Sequence, residues 1–327
     1  MNIERSFWAR PRWVVYVGST LMLTGSLVAQ AQEWPTRQTI KVIVPLTAGS
    51  ATDIVARAVF DQVGRQVDQS IVVENRTGGG TTIGAGAVAK SDPDGYTLLV
   101  HSTSHVVVAT TFPKLGYSVA EDFTALSTLA VQPFVITTRL RYKTIADLVA
   151  FGRANSGVLN YGSAGIGTSG MLFMEKFALA GKFKMTHVPF RGTPEAMTEI
   201  IADRLDMYPG PAQSTLELAK AGKVNALAVS TPKRSSTMPD VPTVAEAGLA
   251  EAEYNFWIGA FAPAKTPVGV ATRLHAEIVK ALNSSEVRQK IAVLGADPLP
   301  MPMAEFDAFV RREIKLNADV LEAAGLK

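Results

Sequence analysis

Residues 158–180, VLNYGSAGIGTSGMLFMEKFALA, decide how the chain is read. An apolar strand-like run, a turn of small residues and an apolar helix-like run follow one another, which is a βα unit. The turn, residues 165–170, spells G-x-G-x-x-G, the fingerprint of a dinucleotide site when it joins a strand to a helix. The physics of such a turn is broader than that use. Backbone N–H groups point outward and the helix dipole favours negative charge, so carboxylate, phosphate or sulfate serves equally well. A dinucleotide site also calls for an acid about 20 residues on, to bind the ribose hydroxyl. Here the next strand ends in Phe190-Arg191-Gly192, and the nearest acid is Glu195. Arg191 could meet a 2′-phosphate, so an NAD(P)-dependent oxidoreductase built on Gly165 to Gly170 stands as the alternative from another class. Against it, the motif is not in the first βα unit of the chain.

Working outward, the same strand–turn–helix unit recurs. TIKVIVPL (39–46) is a dense β-branched run, TAGSATD follows it, and IVARAVFDQVG places Ile54, Val55, Ala58 and Val59 on one helical face. SIVVEN (70–75), YTLLVHS (96–102), KMTHVPF (184–190), LDMYP and VNALAVS read as further strands. TIADLVAFGRA starts a helix at Thr144 with Asp147 three residues on, a capping-box variant. TPEAMTEIIADRL starts another, with Thr193 as N-cap and Pro194 at N1. The tail from Pro267 is helical. The fold class is therefore α/β, in two lobes, each a mainly parallel sheet with flanking helices. Two apolar extended segments, TLAVQPFVITT (128–138) and FWIGAFAPA (256–264), flank the second lobe and suit strands crossing twice between lobes. That gives one lobe from residues 32–130 plus 254–327, a second from 131–253, and a hinged cleft. Two sequential domains with one linker remain the alternative.

Ligands of open α/β sheets sit beyond the carboxyl ends of the strands, where these turns lie. In the first turn, Thr47, Ser50 and Thr52 supply hydroxyls beside free helix N–H groups, Gly49 lets backbone approach a ligand, and Asp53 closes the loop. One such loop is explained as well by helix capping. Two, one per lobe, suit a molecule with carboxylate groups held between facing helix N-termini. A third glycine run includes Gly79 and Thr81, and the strand end His101-Ser102-Thr103-Ser104 adds hydroxyls, Ser102 among them. His101 and His105 have no acid or cysteine beside them, so no metal is expected. Without a G-x-S-x-G there is no hydrolase signature, and a triad of Ser163, His187 and an aspartate has no support in spacing. His187 reads as a satisfied core histidine.

Composition narrows the classes further. The 327 residues are 47% hydrophobic, carry a net charge of +3 and contain no cysteine, which excludes disulfides, thiol catalysis and Cys-ligated metals. Arg5, Arg10 and Arg12 against Glu4 place two of those three positive charges in the first 31 residues. No basic run is interleaved with aromatics, so nucleic acid is not an expected partner. The basic start, the apolar segment 13–28 and Ala29-Gln30-Ala31 form an export leader, residues 1–31, cleaved near Ala31. The body is then exported.

At this point the order of motifs resembles a known family. TIKVIVPLTAGSATDIVAR, IVVENRTGGGTTIGAGAVAKSDPDGYTLL, LNYGSAGIGTSG, HVPFRG, VNALAVSTPKRSSTMPDVPTVAEAG and FWIGAFAPAKTP are similar to the solute receptors of tripartite tricarboxylate transporters, from about Trp34 to the C-terminus. The resemblance implies a type II periplasmic binding protein that closes over a small organic acid and delivers it to a membrane permease. It implies no enzyme activity and no cofactor. It also implies that residues 47–53 and Ser163, Ala164, Gly165, Gly167, Thr168 and Ser169 grip the ligand through backbone N–H groups, hydroxyls and bridging waters. A monomer is expected, since docking needs a free cleft mouth. An extracytoplasmic subunit presenting the ligand to a signalling partner is the alternative within binding. Two departures bear on the ligand. Thr47-Ala48-Gly49 stands where the family usually has Pro-Gly-Gly, and Tyr208 stands where an acidic or amide residue often faces the cleft. An added ring suits an aromatic or less polar carboxylate.

Overall fold

The β-branched runs become strands, and the small-residue turns become the places where helices start. A computed structural model describes Met1 and residues 34–326 apart from Arg37 and Pro113; the leader read at residues 1–31 lies, Met1 aside, outside the described residues. In chain order come β1 (Ile40–Val44), α1 (Ala51–Val67), β2 (Ile71–Asn75), α2 (Thr82–Ala89), β3 (Thr97–Ser102), α3 (Ser104–Thr111) and β4 (Phe123–Gln132). Next are β5 (Phe134–Thr138), α4 (Ile145–Ala154), β6 (Asn160–Ser163), α5 (Ser169–Gly181), β7 (Thr186–Pro189), α6 (Thr193–Ile201), β8 (Met207–Pro211), α7 (Ala212–Lys220) and β9 (Asn225–Val229). The chain ends with β10 (Phe256–Pro263), α8 (Val268–Leu282), α9 (Ser285–Ala292), β11 (Asp297–Pro298) and α10 (Met303–Ala323).

The strands form two sheets, ordered β11-β4-β10-β3-β1-β2 and β7-β6-β8-β5-β9, each flanked by helices, so the fold is two-lobed α/β. Both sheets are mixed. β1 lies parallel to β2 and β3, but β10 runs antiparallel between β3 and β4. In the second sheet β6 is parallel to β7 and β8, whereas β5 is antiparallel to β8 and β9. The antiparallel members are those that cross between the sheets and their partners, because a strand entering from the other lobe arrives against the βα direction.

The crossings lie side by side. β4 ends at Gln132 in the first sheet and β5 begins at Phe134 in the second, with Pro133 between them. On the return, Tyr254 N–H bonds the Ser230 carbonyl at 2.8 Å, and Phe256 already pairs with Gln132. Ser230 ties both passes together. Its Oγ accepts from Phe134 N–H at 3.0 Å and donates to the Tyr254 carbonyl at 2.7 Å. The rings of Phe134 and Phe256 pack 4.8 Å apart over this junction. The C-terminal helices then return to the first sheet, α8 packing on α1 and β4, and α10 on α3 and β4. No helix among the described residues is long and apolar enough to cross a membrane.

Candidate functional site

The turns after β1, β3, β6, β7 and β8 converge between the two sheets, and each opens a helix. A small inner cavity of about 70 Å³ is lined by Ser50, Ala51 and Thr52 at the start of α1, Ser104 at α3 and Ser169 and Gly170 at α5. Thr193 at α6 and Pro209 and Pro211 before α7 complete that ring, with Ser102, Ala164, Thr168, Tyr208, Gln132, Phe134 and Phe256. A wider outer cleft of about 540 Å³ shares Leu46, Ser50, Gln132, Ala164 and Thr193 with it and adds Thr47, Gly49 and Arg191. No Asp, Glu, Lys or Arg lines the inner cavity. Its polarity comes from hydroxyls and from helix N-termini, whose first N–H groups lack intrahelical partners. Residues at the N-cap positions of α3, α5, α6 and α7 offer no side-chain cap of their own. Such a lining stabilises an anion by dipoles and hydrogen bonds rather than by a counter-charge.

The two turns read as anion devices are wired differently. In the first, Ser50 Oγ accepts from Asp53 N–H at 3.3 Å and caps α1 from within. Asp53 is 2% exposed, and its carboxylate accepts from Gly49 N–H, Arg57 Nε and Asn75 Nδ2 at 2.9, 3.0 and 2.9 Å. Burial would raise that carboxyl, but the hydrogen bonds from Arg57, Gly49 and Asn75 hold it below the usual carboxylate range. Asp53 therefore shapes the loop and does not line either cavity. In the second turn the α5 N-terminus is met from the other lobe. Ser169 N–H donates to Ser104 Oγ at 3.0 Å, and Ser104 Oγ also lies 3.3 Å from Ser169 Oγ and 3.1 Å from Ser102 Oγ.

Of the other residues singled out in the sequence, the structure brings Ser102, Ala164, Thr168, Ser169 and Tyr208 to the inner cavity, and Thr47, Gly49 and Arg191 to the outer cleft. Ser163, Gly165, Gly167, Gly79 and Thr81 line neither. Ser163 is fully buried, its Oγ 2.6 Å from His187 Nε2 and 3.0 Å from the Gly165 carbonyl. His187 is half-buried and satisfied, stacked on Tyr161 at 4.9 Å, and burial lowers its pKa. The two side chains support the turn from behind. Thr81 Oγ1 pairs with His101 Nε2 at 3.1 Å, away from the cleft. The glycine run of residues 78–80 meets the second turn directly: a Cβ on Gly80 (φ 62°) would stand 2.3 Å from the Ile166 carbonyl and 2.8 Å from the Phe112 ring. Glycine is needed there for close approach of the two lobes, not for ligand contact.

Gln132 and Thr193 line the inner cavity without having been chosen from the sequence as ligand residues, and Ser104, read only as one hydroxyl of the strand-end group, joins them. For Gln132 a signal exists, since it is the one amide in an apolar crossing segment. Thr193 hydrogen-bonds the Tyr208 hydroxyl at 3.0 Å, and burial raises the Tyr208 phenol to about 12, so it stays neutral beside an anion.

Known proteins resemble this chain in sequence and in fold. The model of the tripartite tricarboxylate transporter family receptor matches residues 55–326. A UPF0065 protein encoded in the TAR-I ttuE-ttuC′ intergenic region of Agrobacterium vitis is 35% identical over 93% of this chain and 90% of its own length. MatC from Rhodopseudomonas palustris, solved with bound malate, superposes with a TM-score of 0.81 at 31% identity, covering 88% of this chain and 99% of that one. A second R. palustris protein, solved with adipate, has a TM-score of 0.83 at 30% identity, covering 89% and 98%.

Proposed function

Because the chain belongs to the tripartite tricarboxylate transporter family of receptors, we propose that it captures a small organic carboxylate in the inner cavity by hinge closure and delivers it to a membrane permease. Family and fold are those of periplasmic solute-binding receptors rather than enzymes, which overturns the nicotinamide reading of residues 165–170. The observation that carries the carboxylate reading is the lining of the inner cavity: helix starts and hydroxyls from both lobes with no charged side chain among them. A carboxylate there would take the place that Ser104 Oγ occupies at the α5 N-terminus. Malate and adipate in the solved relatives make dicarboxylates the first class to test. Tyr208, Phe134 and Phe256 on the same wall favour a less polar or aromatic acid over a citrate-like one.

In this reading Ser50, Thr52, Ser102, Thr168, Ser169 and Tyr208 touch the carboxylate end, Thr47, Gly49 and Arg191 meet its far end in the outer cleft, and Ser163 acts through the turn. The lobes in this reading are residues 32–130 plus 254–327 and 131–253, although β4 of the first sheet runs on to Gln132. The protein works in the periplasm as a monomer, its leader removed near Ala31. A thermal-shift screen of mono-, di- and tricarboxylates, aliphatic and aromatic, tests the reading, since a ligand of the native state raises the melting temperature by mass action. At least one organic acid is expected to raise it, and a screen in which none does would sink the proposal.

A further inference from the structure

A further concavity of about 510 Å³ is lined by the crossing strands and meets the inner cavity and the outer cleft only at Gln132. Its walls come from both crossings, Thr128 to Pro133 on one and Asn255 and Trp257 on the other. The loop after β9 (residues 231–236) supplies one rim, and residues 295–301 around β11 supply the opposite sheet's contribution. Val131, Leu299, Met301 and Phe309 are partly exposed there and give an apolar floor. Thr128 Oγ1 and Gln132 Oε1, on residues 0% and 3% exposed, have no hydrogen-bond partner and are closed off from solvent. Of the charges at the rim, Arg234 is held by Glu246 at 2.9 Å. The side chains of Lys233, in the loop after β9, and Asp297, on β11, have no hydrogen-bond or ion-pair partner among the described residues.

We propose that this concavity is a second small-molecule site, for a zwitterion with an apolar body, the chemistry of a free amino acid with a large apolar side chain. The anionic end meets Lys233, the ammonium meets Asp297, and the apolar body lies on Met301 and Phe309. Its walls belong to both lobes and both crossing strands, so an occupant binds one hinge angle better than another and shifts the closure equilibrium. Gln132 lines this cavity and the inner one alike, which makes it the shared wall through which the two sites couple.

Calorimetric titration of the purified protein with L-leucine, L-phenylalanine and L-tryptophan tests the proposal. Saturable binding of at least one probe is expected, weakened about tenfold by Lys233→Gln or by Asp297→Asn, and lost in Ser236→Trp, whose indole would fill the cavity. All three positions are exposed, so the variants keep the fold. Absence of saturable binding with all three probes would overturn the site, as would binding that survives all three substitutions or that disappears in Ser104→Ala instead. A dicarboxylate titration of Ser236→Trp reports on the inner cavity separately, so failure of one site is not mistaken for failure of the other.

Discussion

The turns of residues 47–53 and 163–169 look alike in sequence, yet one is finished within its own lobe and the other is not. Ser50 and Asp53 cap and brace the first turn with partners no further than Asn75. The second turn ends at an α5 N-terminus whose Ser169 N–H finds its acceptor, Ser104 Oγ, 65 residues away across the cleft. A self-capped helix start is rigid before any ligand arrives. One that borrows its cap is incomplete when the lobes part, and closure or a ligand completes it. The contrast assigns the first turn to a preformed floor and the second to the moving jaw.

The largest expected effect sharpens this contrast through the histidines. His101 and His105 lie fully buried behind the first-lobe wall, and His105 has both ring nitrogens unpartnered among Phe123 and Phe261. Burial pushes the His101 imidazole, with the neighbouring His105 adding to it, well below the ordinary value, and pushes His105 down to about 3. Both are neutral when folded but protonate near 6.5 when unfolded. Stability is therefore complete above pH 6.5 and lost as pH falls from there toward the folded values, about 1.4 kcal/mol per pH unit per histidine. Roughly 2 kcal/mol should be gone by pH 5 through His105, with His101 adding a loss in the same direction. Urea midpoints across pH check this, and His105→Phe should make the slope shallower.

Asp53→Ala comes next. It removes the acceptor of Gly49 N–H and Arg57 Nε and one of the two acceptors of Asn75 Nδ2, and a cost of about 2 kcal/mol is expected in urea unfolding. Breaking the jaw should leave a different signature. Gly80→Val puts a side chain against the Ile166 carbonyl at a positive φ, so closure is hindered and carboxylate affinity should fall about tenfold, read by titration. Ser50→Ala, losing one N-cap bond, should cost about 1 kcal/mol of stability. If Ser104→Ala destabilised the unliganded protein more than Ser50→Ala does, the floor-and-jaw distinction would fail.

Much of the fold was legible because local chemistry dictates it. The β-branched run at β1, the strand at β3 and the reciprocal cap of Thr144 and Asp147 on α4 stand as read. Helix α6 differs by one position: Gly192 holds its N-cap place and Thr193 is already helical. Strand direction was less legible. Nothing in FWIGAFAPA says that β10 runs antiparallel between β3 and β4, since pairing depends on where the crossing enters. The site divided in the same way. Hydroxyls within a turn could be found by inspection, but Ser104 matters through a partner that tertiary closure alone supplies. Ser163 shows the reverse case, a turn residue whose hydroxyl is occupied by His187 and Gly165.

The measurement that bears most directly on the central claim is calorimetric titration of one dicarboxylate and its diamide against the protein and its Ser169→Pro variant. Thr168 already has the extended conformation that precedes proline, and proline is accepted at the first position of a helix, so α5 survives while its leading N–H is removed. The account expects the diacid to bind the unaltered protein, the diamide not to bind, and Ser169→Pro to lose at least tenfold in affinity with its melting temperature little changed. Equal binding of diacid and diamide, or full affinity in Ser169→Pro, would contradict the claim that helix N-termini hold the ligand.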